Sequence, residues 1–342
     1  MVMRAGFIEK PEVAYFKETE EPQINNPTDV KIKVKVTGIC GSEVHAYHGK
    51  HAWRVPPLVS GHEFAGEVCE VGSAVTKFKV GDRVTAEPQY GCGHCELCKA
   101  GKYNLCQDKK ILGAYYWSGS FGEYIVAPEG CVIPLGENVS FDQGALIEPL
   151  AVGMHAVREH KVNEDSVIAI IGCGTIGLGV LLSAKRFNPK KIIAIDVVDF
   201  NLEKAKEMGT DLVLNSMKDP VLDRVLEETD GYGVDMTFLA FGNAPCVQQA
   251  AEITKRGGII SEIAIMANVQ APFDLIQIKE LKLCGSNMYT ADDFKEVIDG
   301  INEGDIKLDG FITKRFPVEE FHDAMEWADK RPEPVVKVVV DF

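Results

Sequence analysis

Long hydrophobic runs are absent from this chain of 342 residues. No segment approaches the roughly 20 consecutive apolar residues of a membrane-spanning helix, which argues against a membrane protein. The first residues, MVMRAGFIEKPEV, contain no apolar signal region, so we expect a cytoplasmic protein whose cysteines are reduced or metal-bound. Low-complexity segments and fixed-period repeats are also absent, which argues against a repeat architecture.

Basic residues are outnumbered by acidic ones, with 36 Lys and Arg against 51 Asp and Glu and a net charge of −15. This charge disfavours polyanionic partners such as nucleic acid, because a strongly negative protein repels them. It does not identify a substrate, since the charge inside an active site need not follow the net charge. The length exceeds the usual size of a single core, so two domains are expected.

The pattern of apolar residues changes along the chain. In the first half, segments such as KIKVKVTGI (31–39) alternate with a period of two between glycines, which predicts a folded or barrel-like β-domain. From about Asn163, continuous apolar strands such as SVIAIIG (166–172) and KKIIAID (190–196) alternate with helical segments, which predicts a parallel sheet covered on both faces. After Tyr289, two amphipathic helices and a strand could complete either domain, and periodicity leaves both options open.

Four cysteines are crowded into one short loop, GCGHCELCKAGKYNLC (91–106). They are Cys92, Cys95, Cys98 and Cys106, separated by two, two and seven residues. This spacing allows four thiolates to converge on one tetrahedral ion, so we expect a structural zinc site. The alternatives are two disulfides or four buried thiols. They are less favoured because crowded Cys-x-x-Cys pairs in an intracellular protein more often hold metal or carry out redox chemistry.

A glycine-rich turn follows the first apolar strand of the second half. GCGTIG (172–177) has the G-x-G-x-x-G spacing that permits a tight turn, close approach of a pyrophosphate and packing of a helix against the strand. The residues expected to contact the cofactor here are Gly172, Gly174, Thr175, Ile176 and Gly177. The simpler alternative is an ordinary βαβ turn.

Asp196 strengthens the dinucleotide interpretation. It ends the next strand, where its carboxylate can accept hydrogen bonds from the adenosine ribose. The following segment, VVDFN, contains no Arg or Lys to meet a 2′-phosphate and adds a second acid, Asp199. The sequence therefore favours NAD over NADP.

Four further residues have the side chains of a catalytic zinc site. Cys40 lies in GICGSEVHAYHG, His62 and Glu63 lie in GHEFAG, and Glu148 lies in ALIEPLAVG. Taken singly, each has a simpler interpretation: a small buried thiol, a hydrogen-bonded core imidazole or a carboxylate at a helix start. Together with a structural zinc loop and a dinucleotide motif, they favour a zinc centre with an open position.

Six motifs occur in one order along the chain: GICGSE, GHEFAG, the four-cysteine loop, SGSFGEY (118–124), LIEPLAV and GCGTIG. In this the sequence resembles the zinc-dependent medium-chain alcohol dehydrogenases over essentially its whole length, and most closely their sorbitol and polyol dehydrogenase branch. The resemblance implies an α/β protein with a GroES-like β-rich catalytic domain at 1–153, a Rossmann doubly wound parallel-sheet NAD domain at 154–289, and a return to the catalytic domain at 290–342. It also implies a homo-oligomer, a tetramer or dimer, with one catalytic and one structural zinc per subunit.

The resemblance also implies roles at the catalytic zinc. Cys40 and His62 match zinc ligands, and Glu63 matches the third ligand of the sorbitol dehydrogenase arrangement. Glu148 stands where ordinary alcohol dehydrogenases have a ligand cysteine, so it either binds zinc directly or holds the metal-bound water. These two arrangements stay open.

Further family positions concern the proton and the cofactor. Ser42 and His45 match the proton relay, although a solvated helix start is the simpler alternative for them. Val152 matches the residue behind the nicotinamide, and Lys337 is expected to reach the pyrophosphate.

Two departures from the family pattern bear on chemistry. Glu43 stands where the family usually has Asp, which orients the ligand histidine; a longer side chain could do the same with different geometry. Sorbitol-type enzymes often carry a substrate-binding arginine near the segment GSNMYT (285–290). No arginine is present there, which argues against sorbitol itself.

The function expected from the resemblance is NAD-dependent oxidation of a secondary alcohol of a polyol or sugar alcohol to a ketone. Alternatives within the family are a vicinal diol, a threonine-type amino alcohol and a sugar-alcohol phosphate. The phosphate would need a basic pocket, which His48, His51, Trp53 and Arg54 could line, unless they form a solvated loop. A catalytically silent NAD-binding protein is disfavoured by the intact set of metal residues, and a metal-free quinone reductase is contradicted by the four-cysteine loop.

Overall fold

The computed structural model describes residues 1–114 and 116–342, which form two compact units. The first comprises Met1–Glu148 and Leu308–Phe342, and the second comprises Pro149–Lys307. The strands are β1 (Val2–Lys10), β2 (Val13–Glu20), β3 (Asp29–Ile39), β4 (Glu63–Val71), β5 (Arg83–Ala86), β6 (Gln89–Tyr90), β7 (Lys110–Ile111), β8 (Tyr124–Pro128), β9 (Val132–Pro134), β10 (Val167–Ile171), β11 (Lys191–Asp196), β12 (Leu212–Asn215), β13 (Val234–Leu239), β14 (Thr254–Glu262), β15 (Lys282–Gly285), β16 (Ile312–Pro317) and β17 (Lys337–Asp341). The helices are α1 (Gly41–Tyr47), α2 (Glu96–Lys99), α3 (Phe141–Glu159), α4 (Thr175–Lys185), α5 (Asp199–Glu207), α6 (Val221–Glu227), α7 (Ala244–Ile253), α8 (Phe273–Ile278), α9 (Ala291–Glu303) and α10 (Phe321–Lys330).

The first unit is built on a mixed sheet with the strand order β16-β17-β3-β4-β5-β9, and β8 also pairs with β3. All of these pairs are antiparallel except β16 with β17. The period-two alternation of β3 buries Ile32 and Val34 against Phe64 and Val68 of β4. The β-rich domain predicted from the first half of the sequence is therefore confirmed.

The second unit is a parallel sheet with the order β12-β11-β10-β13-β14-β15. This order places the first strand of the unit, β10, beside both the second and the fourth, as in doubly wound nucleotide-binding folds. Its central strands, β10 and β11, are buried almost throughout, which explains the continuous apolar run of β10. The predicted α/β class is confirmed. Among the described residues, no helix combines the length and apolarity needed to cross a bilayer.

A buried carboxylate connects two helices within the second unit. Asp293 forms the capping box of α9 with Thr290, and it also accepts hydrogen bonds from His155 Nδ1 at 2.8 Å and Arg158 Nη1 at 2.5 Å, both on α3. Burial raises the pKa of Asp293, but the hydrogen bonds from His155, the Thr290 amide and Arg158 outweigh it, so the pKa is lowered.

Replacing Asp293 with Ala is expected to lower the free energy of unfolding by roughly 2–3 kcal/mol, because the change removes a helix cap and a buried ion-pair partner. The pKa of Asp293 is lower in the folded than in the unfolded protein. Its contribution to the free energy of unfolding is therefore fully present above the pKa of the unfolded state and is lost as the pH falls through the pKa of the folded state. Urea unfolding at several pH values measures both effects. The exposed neighbour Asp292 is the control, and Asp292→Ala should change stability by less than about 0.5 kcal/mol. A D293A penalty that stays constant into strong acid would contradict this account.

Candidate active site

Three neighbouring strands of the first unit bring the predicted metal residues together. Gly38 of β3 lies opposite Glu63 of β4, and Ile39 lies opposite Val338 of β17. Cys40, which follows β3 directly, therefore lies near the start of both neighbouring strands. Local sequence does not encode this arrangement, which depends on strand pairing across about 300 residues.

The predicted catalytic metal residues form one cluster. A sulfur of Cys40, a ring nitrogen of His62 and a carboxylate oxygen of Glu63 all lie within 4.8 Å of one another. Glu148 Oε1 is 3.8 Å from Nε2 of the same imidazole. Thiolate, imidazole and carboxylate are the ligand types that zinc prefers, and atoms this close can share one ion, so the residues present fit a zinc site.

Glu43 holds the ring of His62. Its Oε1 lies 2.9 Å from His62 Nδ1 and accepts a hydrogen bond from the Ser60 hydroxyl at 3.0 Å, while Oε2 accepts from the Cys40 amide at 3.2 Å. Because Nδ1 is occupied, Nε2 is the ring nitrogen that faces the cluster. The glutamate that departs from the family pattern thus makes the contact expected of aspartate.

Charges around Glu43 keep it ionised. Burial alone raises its pKa, but the charges of His62 and Arg54, with hydrogen bonds from His62 and Ser60, bring the pKa of Glu43 down to about 2. Burial lowers the pKa of His62, but the neighbouring Glu43 carboxylate outweighs this, and the pKa is raised well above 6.5.

The two predicted relay residues lie on α1, directly after Cys40. The Ser42 hydroxyl oxygen is buried and has no hydrogen-bond partner among the described residues. His45 follows three positions later on the same helix face and is exposed. The Ser42 hydroxyl, two residues after Cys40, therefore has hydrogen-bonding capacity to offer a ligand, and the relay role of Ser42 and His45 stays a prediction.

Lys337, which we expect to reach the cofactor pyrophosphate, contacts a residue of the predicted metal site. Its buried Nζ lies 2.7 Å from both carboxylate oxygens of Glu63 and 3.3 Å from the carbonyl oxygen of Ile39. Burial lowers the pKa of Lys337, but the Glu63 carboxylate raises it more, so the pKa is raised overall. Glu63 is therefore a partner of Lys337, and the contact of Lys337 with the pyrophosphate stays a prediction. The pairing of β17 with β3 causes the contact with Glu63, and the sequence pattern alone does not specify the register of that pairing.

The four-cysteine loop has the geometry of a second metal site. One sulfur each from Cys92, Cys95, Cys98 and Cys106 lies within 4.8 Å of the other three. The Sγ atoms are 3.9 Å apart both for Cys92 with Cys98 and for Cys95 with Cys106, and all four cysteines are free. These separations exclude disulfides, in which the sulfurs would be about 2.05 Å apart. Hydrogen bonds from the amides of His94 and Cys95 lower the pKa of Cys92, whereas burial raises the pKa of Cys98 to about 12.

The glycine-rich turn in the second unit has room for a cofactor. Gly172 has φ +90°, which favours glycine, and a Cβ on Gly177 would collide with the Gly172 carbonyl oxygen. A Cβ on Gly174 would meet no heavy atom within 4 Å. Thr175 and Ile176 begin α4, whose amide end can face a pyrophosphate.

Asp196 lies beside this turn at the end of β11. Its Oδ2 accepts a hydrogen bond from the Cys173 amide at 2.6 Å, and its Oδ1 accepts from the amides of Val197 and Val198. The carboxylate is therefore fixed next to the turn, as expected for a ribose ligand. Val152 is half-buried on α3, one turn after Glu148.

Comparisons with known proteins agree with this fold and site. Residues 26–137 match the family model of the alcohol dehydrogenase GroES-like domain, and residues 175–303 match that of the zinc-binding dehydrogenases. Sorbitol dehydrogenase of Bacillus subtilis is 36% identical, with 93% of this chain and 91% of that protein covered. D-arabitol-phosphate dehydrogenase of Enterococcus avium is 37% identical, with 87% of each covered.

Solved structures give the same result. The 2R,3R-butanediol dehydrogenase of Bacillus subtilis superposes with a TM-score of 0.91 at 32% identity, covering 99% of each chain. An Escherichia coli CFT073 alcohol dehydrogenase complexed with NADH superposes with a TM-score of 0.92 at 30% identity, covering 100% of this chain and 99% of that one. The class is thus that of two-domain dehydrogenases with a nucleotide-binding sheet. The chain belongs to the zinc-dependent alcohol dehydrogenase family that includes sorbitol dehydrogenase, and the resemblance inferred from the motifs is confirmed.

Two glycines of the turn should respond differently to substitution. Gly174→Ala is expected to leave the free energy of unfolding within about 0.5 kcal/mol of wild type while weakening NAD binding, because the added methyl fills only the space left for a ligand. Gly177→Ala should destabilise the protein by about 1–3 kcal/mol or more, because its Cβ meets backbone. Calorimetric titration with NAD and chemical denaturation measure the two effects. Equal losses of stability in both variants would contradict the assigned geometry.

Proposed function

We propose that the protein is a zinc- and NAD-dependent dehydrogenase that oxidises a secondary alcohol of a polyol or sugar alcohol to a ketone. The cluster of Cys40, His62 and Glu63, with the unpartnered Ser42 hydroxyl two residues after Cys40, carries the proposal. The substrate class is supported by relatives named for sorbitol, arabitol phosphate and butanediol, all of which contain secondary alcohols.

The first zinc ligands in this proposal are Cys40 Sγ and His62 Nε2. Glu63 supplies the third, supported by its place within the 4.8 Å cluster, and Lys337 balances its charge. Glu148 faces His62 Nε2 at 3.8 Å, so it is suited to hold the water or substrate hydroxyl at the remaining position. The four thiolates of the cysteine loop fill every position of a second, structural zinc site.

The chain's own residues would handle the proton of the reaction. When bound, zinc would supply Lewis-acid stabilisation of the substrate oxygen, and NAD would be the hydride acceptor. Ser42 would accept the hydroxyl proton while giving up its own, and the released proton would reach solvent by way of the exposed His45. The alcohol carbon loses one hydride and the oxygen one proton, which leaves a ketone. Gly172, Gly174, Gly177 and Asp196 would bind the pyrophosphate and ribose, with Val152 placed behind the nicotinamide.

A phosphorylated sugar alcohol is the second candidate, favoured by the similarity to D-arabitol-phosphate dehydrogenase. The structure gives it less support, because two of the cations proposed for a basic pocket are already engaged. Arg54 is buried against Glu43, and His48 Nε2 lies 2.8 Å from Asp329. We therefore favour an unphosphorylated substrate.

A panel of polyols, vicinal diols and their phosphates tests this choice. Unphosphorylated members are expected to give kcat/KM values at least about 10-fold higher than their phosphates, since Arg54 and His48 are already engaged by Glu43 and Asp329 and cannot bind the added dianion. NADH formation followed by absorbance measures the rates. Higher kcat/KM for a phosphate ester would favour the second candidate.

We also propose that the protein is a homo-oligomer in the cytoplasm. β15 is the last strand of its sheet and carries the exposed Leu283, and Ile265, Phe273 and Ile278 are exposed elsewhere in the same unit. Such an edge favours association with a second copy. The four-cysteine loop requires reduced thiols, which supports a reducing compartment.

Replacing Cys40 with Ser should remove one of two zinc ions per chain and abolish turnover, because a thiolate ligand is lost while the dinucleotide turn is untouched. Metal analysis, NADH production and calorimetric NAD binding measure the three properties. Cys69→Ser is the matched control, since Cys69 is half-buried in the same unit outside both clusters, and it should retain both zinc ions. Full activity in a Cys40→Ser protein with one zinc would overturn the proposal.

A further inference from the structure

We propose that Arg54 is a positioning residue that fixes the Glu43 carboxylate and thereby the ring of His62. We further infer that Arg54 and Ser60 connect this carboxylate to Leu112 and Gly113, just after the four-cysteine loop. The inference rests on the proposed function, because it takes His62 to be a zinc ligand.

Arg54 and Glu43 form an ion pair inside the first unit. Arg54 Nε is 3.1 Å from Glu43 Oε1, and the side chains are 6% and 0% exposed. His62 Nδ1 lies 2.9 Å from the same oxygen. A displacement of this oxygen therefore also displaces the imidazole. A carboxylate buried this completely needs a compensating cation, and removing one partner of such a pair is strongly unfavourable.

The length of the Glu43 side chain makes additional contacts to its carboxylate necessary. Its side chain has one more rotatable bond than the aspartate usual in the family, so more contacts are required to fix its carboxylate. Oε1 faces Arg54, His62 and Ser60, and Oε2 accepts the Cys40 amide. Outer contacts of this type orient metal-binding histidines in other zinc sites.

The same two residues also bind the segment that leaves the four-cysteine loop. Arg54 Nη2 donates to the Leu112 carbonyl at 3.2 Å, and the Ser60 hydroxyl lies 3.3 Å from the Gly113 carbonyl. β6, just before the loop, pairs with β7, just after it, and the Leu112 amide donates to the Pro88 carbonyl at 2.9 Å. A continuous set of contacts therefore joins the base of the four-cysteine loop to His62.

These contacts also assign Arg54 a role other than substrate binding. Its guanidinium is buried, and its Nε, Nη1 and Nη2 atoms face Glu43, His51 and Leu112. A phosphate would have to displace Glu43 to reach it. Arg54, which the sequence suggests for a basic pocket or a solvated loop, thus contacts the carboxylate that holds the predicted zinc ligand His62.

Zinc affinity tests the positioning role. The zinc ion concerned is the one that Cys40→Ser removes. Its dissociation constant should rise about 10–100-fold in Arg54→Met. In Arg54→Lys, which keeps a positive charge, the rise should be smaller. Chelator competition on the purified holoenzyme measures it without relying on turnover. Arg83→Met is the matched control, because Arg83 donates to the carbonyls of Glu137 and Val139 in the same unit, and it should bind both zinc ions as wild type does.

Hydrogen exchange tests the connection to the loop. Amides around Leu112 and Gly113 should exchange about fivefold faster in Arg54→Met than in Arg83→Met, since one supporting hydrogen bond is lost. Wild-type zinc affinity in both Arg54 variants would overturn the positioning role, and unchanged exchange at residues 110–113 would overturn the connection. If Cys40→Ser instead keeps both zinc ions, the proposed function itself fails, so the two failures are distinguishable.

Discussion

The buried carboxylate of Glu43 is the contact on which the candidate active site depends. An ionised carboxylate has no stable place in a protein interior unless cations and donors surround it, and here His62, Arg54 and Ser60 do so. The contact with Glu43 also fixes the imidazole of His62. Its Nδ1 atom contacts Glu43, and its Nε2 atom faces the other predicted metal ligands. Because the buried charge is unfavourable without these partners, they hold the carboxylate in one place. The carboxylate in turn fixes the orientation of the imidazole, as a metal-binding histidine requires.

Strand pairing supplies the rest of the cluster. Cys40 and Glu63 are 23 positions apart in the sequence, yet pairing of β3 with β4 places them side by side, and pairing of β17 with β3 adds Lys337. A second buried charge pair, Glu63 with Lys337, results. The first unit therefore places two buried carboxylates, each with its own cation, around the Cys40 sulfur and the His62 imidazole.

Much of the fold could be predicted from the sequence, because its signals are local. The alternation in 31–39 and the apolar run in 166–172 follow from burial of one or both faces of a strand, and the cysteine spacing depends on a single loop. The partners of Arg54 and Lys337 could not be predicted, since both depend on contacts between distant segments. Arg54 in particular occurs among basic and aromatic residues that suggest a surface loop, whereas the fold buries it against an acid.

The most direct test of this account is zinc X-ray absorption spectroscopy of the purified protein with its metal content determined in parallel. Two four-coordinate sites, one with four sulfurs and one with a single sulfur, predict an average of about 2.5 sulfurs near 2.3 Å and about 1.5 nitrogen or oxygen atoms near 2.0–2.1 Å per zinc. One zinc per chain with a purely sulfur shell would contradict the existence of the site that Glu43 and His62 build.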